Sequence, residues 1–352
     1  MNKYALLIKT GDSELRALSN FPDTSSILPI IELTRGRKSK TDKEGSIEKR
    51  LKKIKDIFKD EEIILDLTSD EGLSNSTIDS FFVPDNGYSN WVNFLISIKS
   101  ENCFKKLIPT IIVNGSDEDI VANLRLQASQ IAKEFNCLSY RCNIEDDGCI
   151  DDIDAIKDYM NGNESFIIID NGYIQPSELK LCSNKTVELI NKILSFVPHA
   201  NIIVASTSFP DKLPDEDNST IRLSEIELYK SVVLSLKNPS IIYGDYGGVN
   251  PIRNDGIVMA HGWRPRIDVP LADSVFYYRK RRNGLEYSTT YSMVAQEVNV
   301  DSRFPSSLKN NWGIQQIVNA ANGASPGSNP SFWISVRMNI HIEQQLRRLK
   351  LL

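Results

Sequence analysis

Eight short aliphatic runs punctuate the first 245 residues, and polar segments with a helical period separate them. They are YALLIK (4–9), ILPIIEL (27–33), EIILDL (62–67), LIPTIIV (107–113), CLSYRC (137–142), SFIIID (165–170), NIIVAS (201–206) and SIIYGD (240–245). The runs are nearly continuous rather than alternating, as expected of strands covered on both faces in a parallel sheet. Between them the period changes. SIEKRLKKIKDIF sets Ile47, Leu51, Ile54 and Phe58 on one face, and SDEDIVANLRLQASQIAKEF opens with a serine and acids before its apolar repeat. SEIELYKSVVLSL places Ser224 and Glu227 at capping-box spacing. Eight strand–helix alternations in roughly 245 residues predict an α/β chain folded as a (β/α)8 TIM-barrel-like domain. An open doubly wound sheet would carry a glycine fingerprint after its first strand, and KTGDSE is not one.

Beyond residue 250 the pattern changes. DSVFYYRKRRNGLEYSTTYSMV reads as two strand-like runs about Asn283-Gly284, a hairpin signal. A Gly/Ser/Pro-rich stretch, NAANGASPGSNPS, and a helical run, MNIHIEQQLRRLKLL, follow. The expected division is a barrel over 1–249 and a C-terminal α+β appendage over 250–352, with a β-hairpin and a terminal helix.

Composition narrows the classes. Of 352 residues, 41% are hydrophobic and 25% charged, enough for a sizeable core. A net charge of −5 argues against a surface that grips nucleic acid everywhere, while leaving room for local basic patches. No apolar run is long enough to span a bilayer and the N-terminus has no signal-peptide pattern, so a cytoplasmic location is expected. The five cysteines form no CxxC pair, and the three histidines (His199, His261, His341) form neither HxH nor HExxH.

Candidate chemistry lies at the strand exits, where barrel sites form. Those exits are Lys9, Glu32, Asp66, Asn114, Arg141, Asp170, Ser206 and Asp245, the last inside IIYGDYGG. Glu32, Asp66, Asp170 and Asp245 are therefore candidate catalytic carboxylates. Lys9, Arg141, Tyr246 and His341 are candidate ligand-binding groups. The carboxylates could hold Mg²⁺, with Lys9 or Arg141 facing an anion, or could work as an acid–base pair; alternatively the cations simply neutralise the acids. Three basic stretches, RGRKSKTDKEGSIEKRLKKIK after the second run, RKRR (279–282) and RRLK (347–350), could form an anion-binding rim for a nucleotide or RNA, or be solvated surface.

Several separated segments resemble the phage beta-protein family of prophages, satellite phages and bacterial defence islands. The segments are LLIKTGDSELRAL with ILPIIEL (Lys9, Glu14, Glu32), FIIIDNG (Asp170) and EIELYKSVVLSLKNPSIIYGDYGG (Glu225, Asp245, Tyr246). VFYYRKRR, the Trp312-Gly313 pair, and the closing Trp333, Asn339 and His341 extend the match. Departures are Ile226 where tryptophan is expected, Asn311 before Trp312, and a single closing histidine. The resemblance implies a role in phage–host conflict, with a killer protein or other defence effector encoded nearby, and no defining reaction.

Two functions are thus expected. One is a defence component whose barrel binds a ligand or partner protein, in the manner of a toxin–antitoxin pair, and which could form a homo-oligomer. An apolar patch about Phe276, Tyr278, Trp312 and Trp333 would serve a protein partner. The other is a metal-assisted phosphodiesterase, nuclease or related hydrolase, for which at least three of the four carboxylates should converge.

Overall fold

A computed structural model describes residues 3–237, 240–252 and 262–352; His261 lies outside them. All eight aliphatic runs form strands. In chain order these are β1 (Tyr4–Lys9), β2 (Ile27–Leu33), β3 (Glu62–Leu67), β4 (Lys106–Pro109), β5 (Cys137–Asn143), β6 (Glu164–Tyr173), β7 (Asn201–Thr207) and, after one further strand, β9 (Ile242–Asp245). They make one parallel sheet in the order β4-β3-β2-β1-β9-β7-β6-β5. Its two edges meet where Thr110 bridges Ser139, with the Ile111 amide donating to the Ser139 carbonyl at 2.8 Å, so the sheet curls into a nearly closed barrel. Strand β4 stops at Pro109, earlier than its apolar run suggests, because the chain beyond it leaves β3 for this bridge.

The helices α1 (Asp12–Ser19), α2 (Glu48–Ile57), α3 (Ser76–Phe81), α4 (Asp85–Ser100), α5 (Ile120–Phe135), α6 (Cys149–Asn161), α7 (Leu179–Phe196) and α8 (Ser224–Leu236) lie between the strands. Side chains alternate across the barrel wall. Ala5, Leu7, Leu28, Ile30, Ile64, Ile108, Phe166, Ile168, Ile203 and Ile242 fill the inside. Tyr4, Leu6, Ile8, Ile31, Leu65, Ile167 and Tyr243 face the helices. Both faces are dry, which explains the unbroken apolar runs.

One strand has no apolar signature. Strand β8 (Asn218–Arg222, NSTIR) leaves the barrel after β7 and pairs antiparallel with β11 (Ser274–Arg279), which pairs in turn with β10 (Arg266–Pro270). The hairpin of this second sheet is β10–β11. Asn283 and Gly284 do turn, at φ 50° and 87°, but the chain then enters a helix, α9 (Tyr287–Val300), rather than a strand. Thr290, Tyr291, Val294, Ala295 and Val298 are its buried residues, a spacing of 3.6 that outweighs its β-branched threonines. Helices α10 (Trp312–Ala321) and α11 (Pro330–Arg348) complete a second core with Ile267, Val269, Phe276, Trp333 and Ile340. The aromatic residues expected to form an exposed patch belong to this core. Phe276 and Trp333 are buried within it, and Tyr278 and Trp312 pack half-buried against it. Helix α11 serves both cores, because its Met338, Ile342 and Leu346 join the barrel's outer layer.

Among the described residues, no helix is long and apolar enough to cross a membrane.

Candidate functional site

The inside-facing parity of each barrel strand decides which exit residues meet. Lys9 pairs in register with Glu32, and Glu32 with Asp66, so all three point inward at the C-terminal mouth. Arg141 on β5 crosses the mouth to reach them. Its Nη1 donates to Glu32 Oε2 and Asp66 Oδ2, each at 2.9 Å. Its Nε and Nη2 both donate to Asp170 Oδ2, at 2.9 and 2.7 Å, and Nη2 also reaches the Tyr246 hydroxyl at 3.4 Å. Tyr246 donates to Asp170 Oδ1 at 2.5 Å, and the Gly172 amide donates to the same oxygen at 2.8 Å. Lys9 Nζ lies 3.4 Å from Glu32 Oε1. Every N–H of the guanidinium is thereby directed at an acceptor.

Two of the carboxylates around this guanidinium move in opposite directions. Burial works against the Glu32 charge, yet Arg141 and Lys9 hold its carboxyl below the usual range. Asp66 moves the other way, raised by burial and by Glu32 despite Arg141. Burial and the Asp170 charge push the Tyr246 phenol far up, so it remains a donor.

The inner cluster does not fit a metal. The position a cation would take among Glu32, Asp66 and Asp170 is filled by Arg141. Among the described residues, no group of three or more His, Cys, Asp or Glu side chains is placed to hold one.

Asp245 does not join this cluster. It pairs in register with Leu6 and Ser206, while its neighbour Gly244 pairs with Ala5 and Ala205 on the inner face, so Asp245 points outward. There it is fully buried and accepts four hydrogen bonds. Tyr4 and the Gly247 amide (2.8 Å) donate to Oδ1; Tyr243 (2.9 Å) and His341 Nε2 (2.8 Å) donate to Oδ2. Burial opposes its charge, but His341 and these donors hold its carboxyl below the usual value. The glycines of GDYGG make the pairing with α11 geometrically feasible. Gly247 and Gly248 adopt φ of 66° and 70°, and a Cβ on Gly248 would sit 3.1 Å from His341 Nδ1. Nearby, buried Glu225 accepts from the Ser208 amide (3.0 Å) and hydroxyl. Burial, reinforced by Asp245, pushes its carboxyl up to about 7. His341, offered by the sequence as a ligand group, is thus a fully buried tie between helix and strand.

The open space lies beside the inner cluster. A cleft of about 710 Å³ separates the loops after β1, β2, β7 and β9 from β10 and α11. Arg35, Arg37, Lys38, Arg50, Arg266 and Arg337 line it, against the carboxylates Asp12, Glu14 and Asp211. The basic stretch after β2 therefore reaches the mouth, as its position in the sequence suggests. RKRR and RRLK do not line the cleft. Arg279 bonds to the Glu216 carbonyl and to Asp215, Lys280 pairs with Glu297, and Arg347 pairs with Glu343. Arg266 and Arg337 were not marked by sequence reasoning. The available signal was a charge at position 337, on the same helical face as Trp333 and Ile340, where an apolar residue is expected.

Fold and site together define a (β/α)8 barrel whose mouth is plugged by an arginine–carboxylate cluster and flanked by a cationic cleft. The model of the family described as Beta protein matches residues 4–347, and the chain belongs to that family. It is 25% identical to Protein beta of Enterobacteria phage P4, over 97% of this chain and 92% of that protein. A chitinase from Chromobacterium violaceum superposes with a TM-score of 0.37 at 10% identity, covering 96% of this chain and 98% of that one, too distant to carry chemistry across.

Proposed function

We propose that the protein is a cytoplasmic component of phage–host conflict that acts by binding, with an anionic ligand received in the cleft between the barrel mouth and the appendage. The cleft carries this reading: six cationic side chains against three carboxylates, in a volume typical of ligand sites (about 300–1,000 Å³). Membership of the Beta protein family and a relative from a phage support the setting. The metal-assisted hydrolase is disfavoured, because Glu32, Asp66 and Asp170 are engaged by Arg141. In this reading the inner cluster is a rigid plug that fixes the loops around the cleft, and an effector encoded alongside reads out the bound state.

The test is a phage challenge of bacteria expressing the protein with its genomic neighbours, wild type against the double variant Arg37→Glu/Lys38→Glu. Both positions are exposed, so folding should be preserved. Loss of the plaquing or growth phenotype in the variant supports the reading. A variant indistinguishable from wild type sinks it.

A further inference from the structure

The geometry points to a compact ligand bearing adjacent phosphates, a di- or polyphosphate in chemical class, as the occupant of the cleft. The inference rests on the binding reading above and names its ligand.

Two cationic walls face each other. On the β2 side, Arg35 donates to the carbonyls of Gly36 (3.1 Å) and Gly72 (2.8 Å), which fix the guanidinium without neutralising it. Arg37 and Lys38 follow, exposed and in no ion pair among the described residues. On the α11 side, Arg337 is only 3% exposed and lies 3.8 Å over the Phe209 ring. Its Nη1 donates to Asp268 at 2.7 Å, while its buried Nε has no hydrogen-bond partner. Arg266 contacts the same Asp268 at 2.9 Å, so two guanidinia share one carboxylate, with Glu14 the other acid near Arg337. Between the walls, α1 begins at Asp12 after Gly11 with no side-chain cap, and Ser13 bonds to Ser331 at 3.0 Å, which ties α1 to the α11 wall. The Asp12 carboxylate at this point is engaged by Arg50.

Phosphate suits such a site better than carboxylate, since forked guanidinium donors and backbone N–H groups match its several oxygens. Two separate walls call for two phosphate groups. A nucleic-acid strand fits less well: the whole chain carries −5, and Lys280 and Arg347 of the other basic stretches are held in ion pairs away from the cleft.

Calorimetric titration of the full-length protein with ATP, inorganic pyrophosphate, AMP, sulfate and a single-stranded oligonucleotide tests this. Expected are binding of ATP and pyrophosphate, binding of AMP and sulfate weaker by at least about tenfold, and a similar loss for Arg37→Glu/Lys38→Glu with unchanged circular dichroism. No heat from ATP or pyrophosphate at millimolar concentration, equal binding by the variant, or tighter binding of the oligonucleotide than of ATP overturns the assignment. If the variant abolishes the phage phenotype while wild type binds none of the phosphates, the ligand class fails and the binding reading stands. If the variant leaves both unchanged, both fail.

Discussion

Replacing Asp245 by asparagine is the sharpest test of what the GDYGG segment does. The carboxylate accepts two hydrogen bonds at each oxygen, from Tyr4 and Gly247 at one and from Tyr243 and His341 at the other. An amide keeps one oxygen, so whichever way it is turned, its NH₂ faces two donors. A buried donor left without an acceptor costs about 1–3 kcal/mol, and two such donors face the amide. A tyrosine hydroxyl can rotate to accept from the amide, which recovers part of this. The net expectation is a loss of about 3–5 kcal/mol. With an unfolding entropy of about 2.1 cal/mol/K per residue, a cooperative unit of this size would melt about 4–7 °C lower. The sign of the pH dependence is fixed as well. Because the folded carboxyl lies below its ordinary value, its contribution is present above the unfolded pKa, near 4, and disappears as pH falls through the lower folded value. Asp245→Asn should therefore differ most from wild type at neutral pH and converge with it in strong acid. Scanning calorimetry from pH 3 to 8 measures this. A neutral-pH penalty under about 1 kcal/mol, combined with lost ligand binding, would refute the structural assignment and make Asp245 a functional group.

Three further outcomes follow from the same contacts. Glu225 has a folded pKa of about 7 against an ordinary 4.5, so ionising it costs the folded state up to about 3 kcal/mol as pH rises through that window; Glu225→Gln should flatten the fall in stability between pH 4.5 and 7, seen as a melting temperature that no longer drops. Arg141→Met leaves Glu32, Asp66 and Asp170 facing one another and should cost about 3–5 kcal/mol at pH 7.5, less at pH 5, measured by urea unfolding. Gly248→Ala, at φ 70° and against the His341 ring, should lower stability by about 1–3 kcal/mol without altering phosphate binding, checked by parallel melting and titration.

The barrel was legible because each strand is dry on both faces and so leaves an unbroken apolar run. The same property hid the orientation of Asp245. Where inward and outward positions are equally apolar, SIIYGD does not reveal which residue faces the axis, and only the register with Leu6 settles it. Strand β8 was invisible for the opposite reason: NSTIR alternates between half-buried and exposed positions and buries no residue fully. After Asn283-Gly284, a real turn signal drew the following residues into a strand, although their buried positions repeat at helical spacing. At the site, charged strand exits pointed to Lys9, Glu32, Asp66, Arg141 and Asp170. The far wall of the cleft depends on α11 folding back across the chain, a tertiary event whose one local trace is the charge at Arg337 on the helix face that carries Trp333 and Ile340.

That return of α11 bears on how the chain is made. Asp245 forms its pair with a histidine 96 residues further along. At synthesis rates of about 5–20 residues per second, the strand carrying the carboxylate leaves the ribosome about 5–20 s before its partner. Until then three of its four donors, Tyr4, Tyr243 and the Gly247 amide, are at hand, and the His341 Nε2 donor is not. The last-made helix thus supplies the final donor to a barrel whose strands were all translated long before, and a chain interrupted ahead of residue 341 would carry every barrel strand with this aspartate one hydrogen bond short.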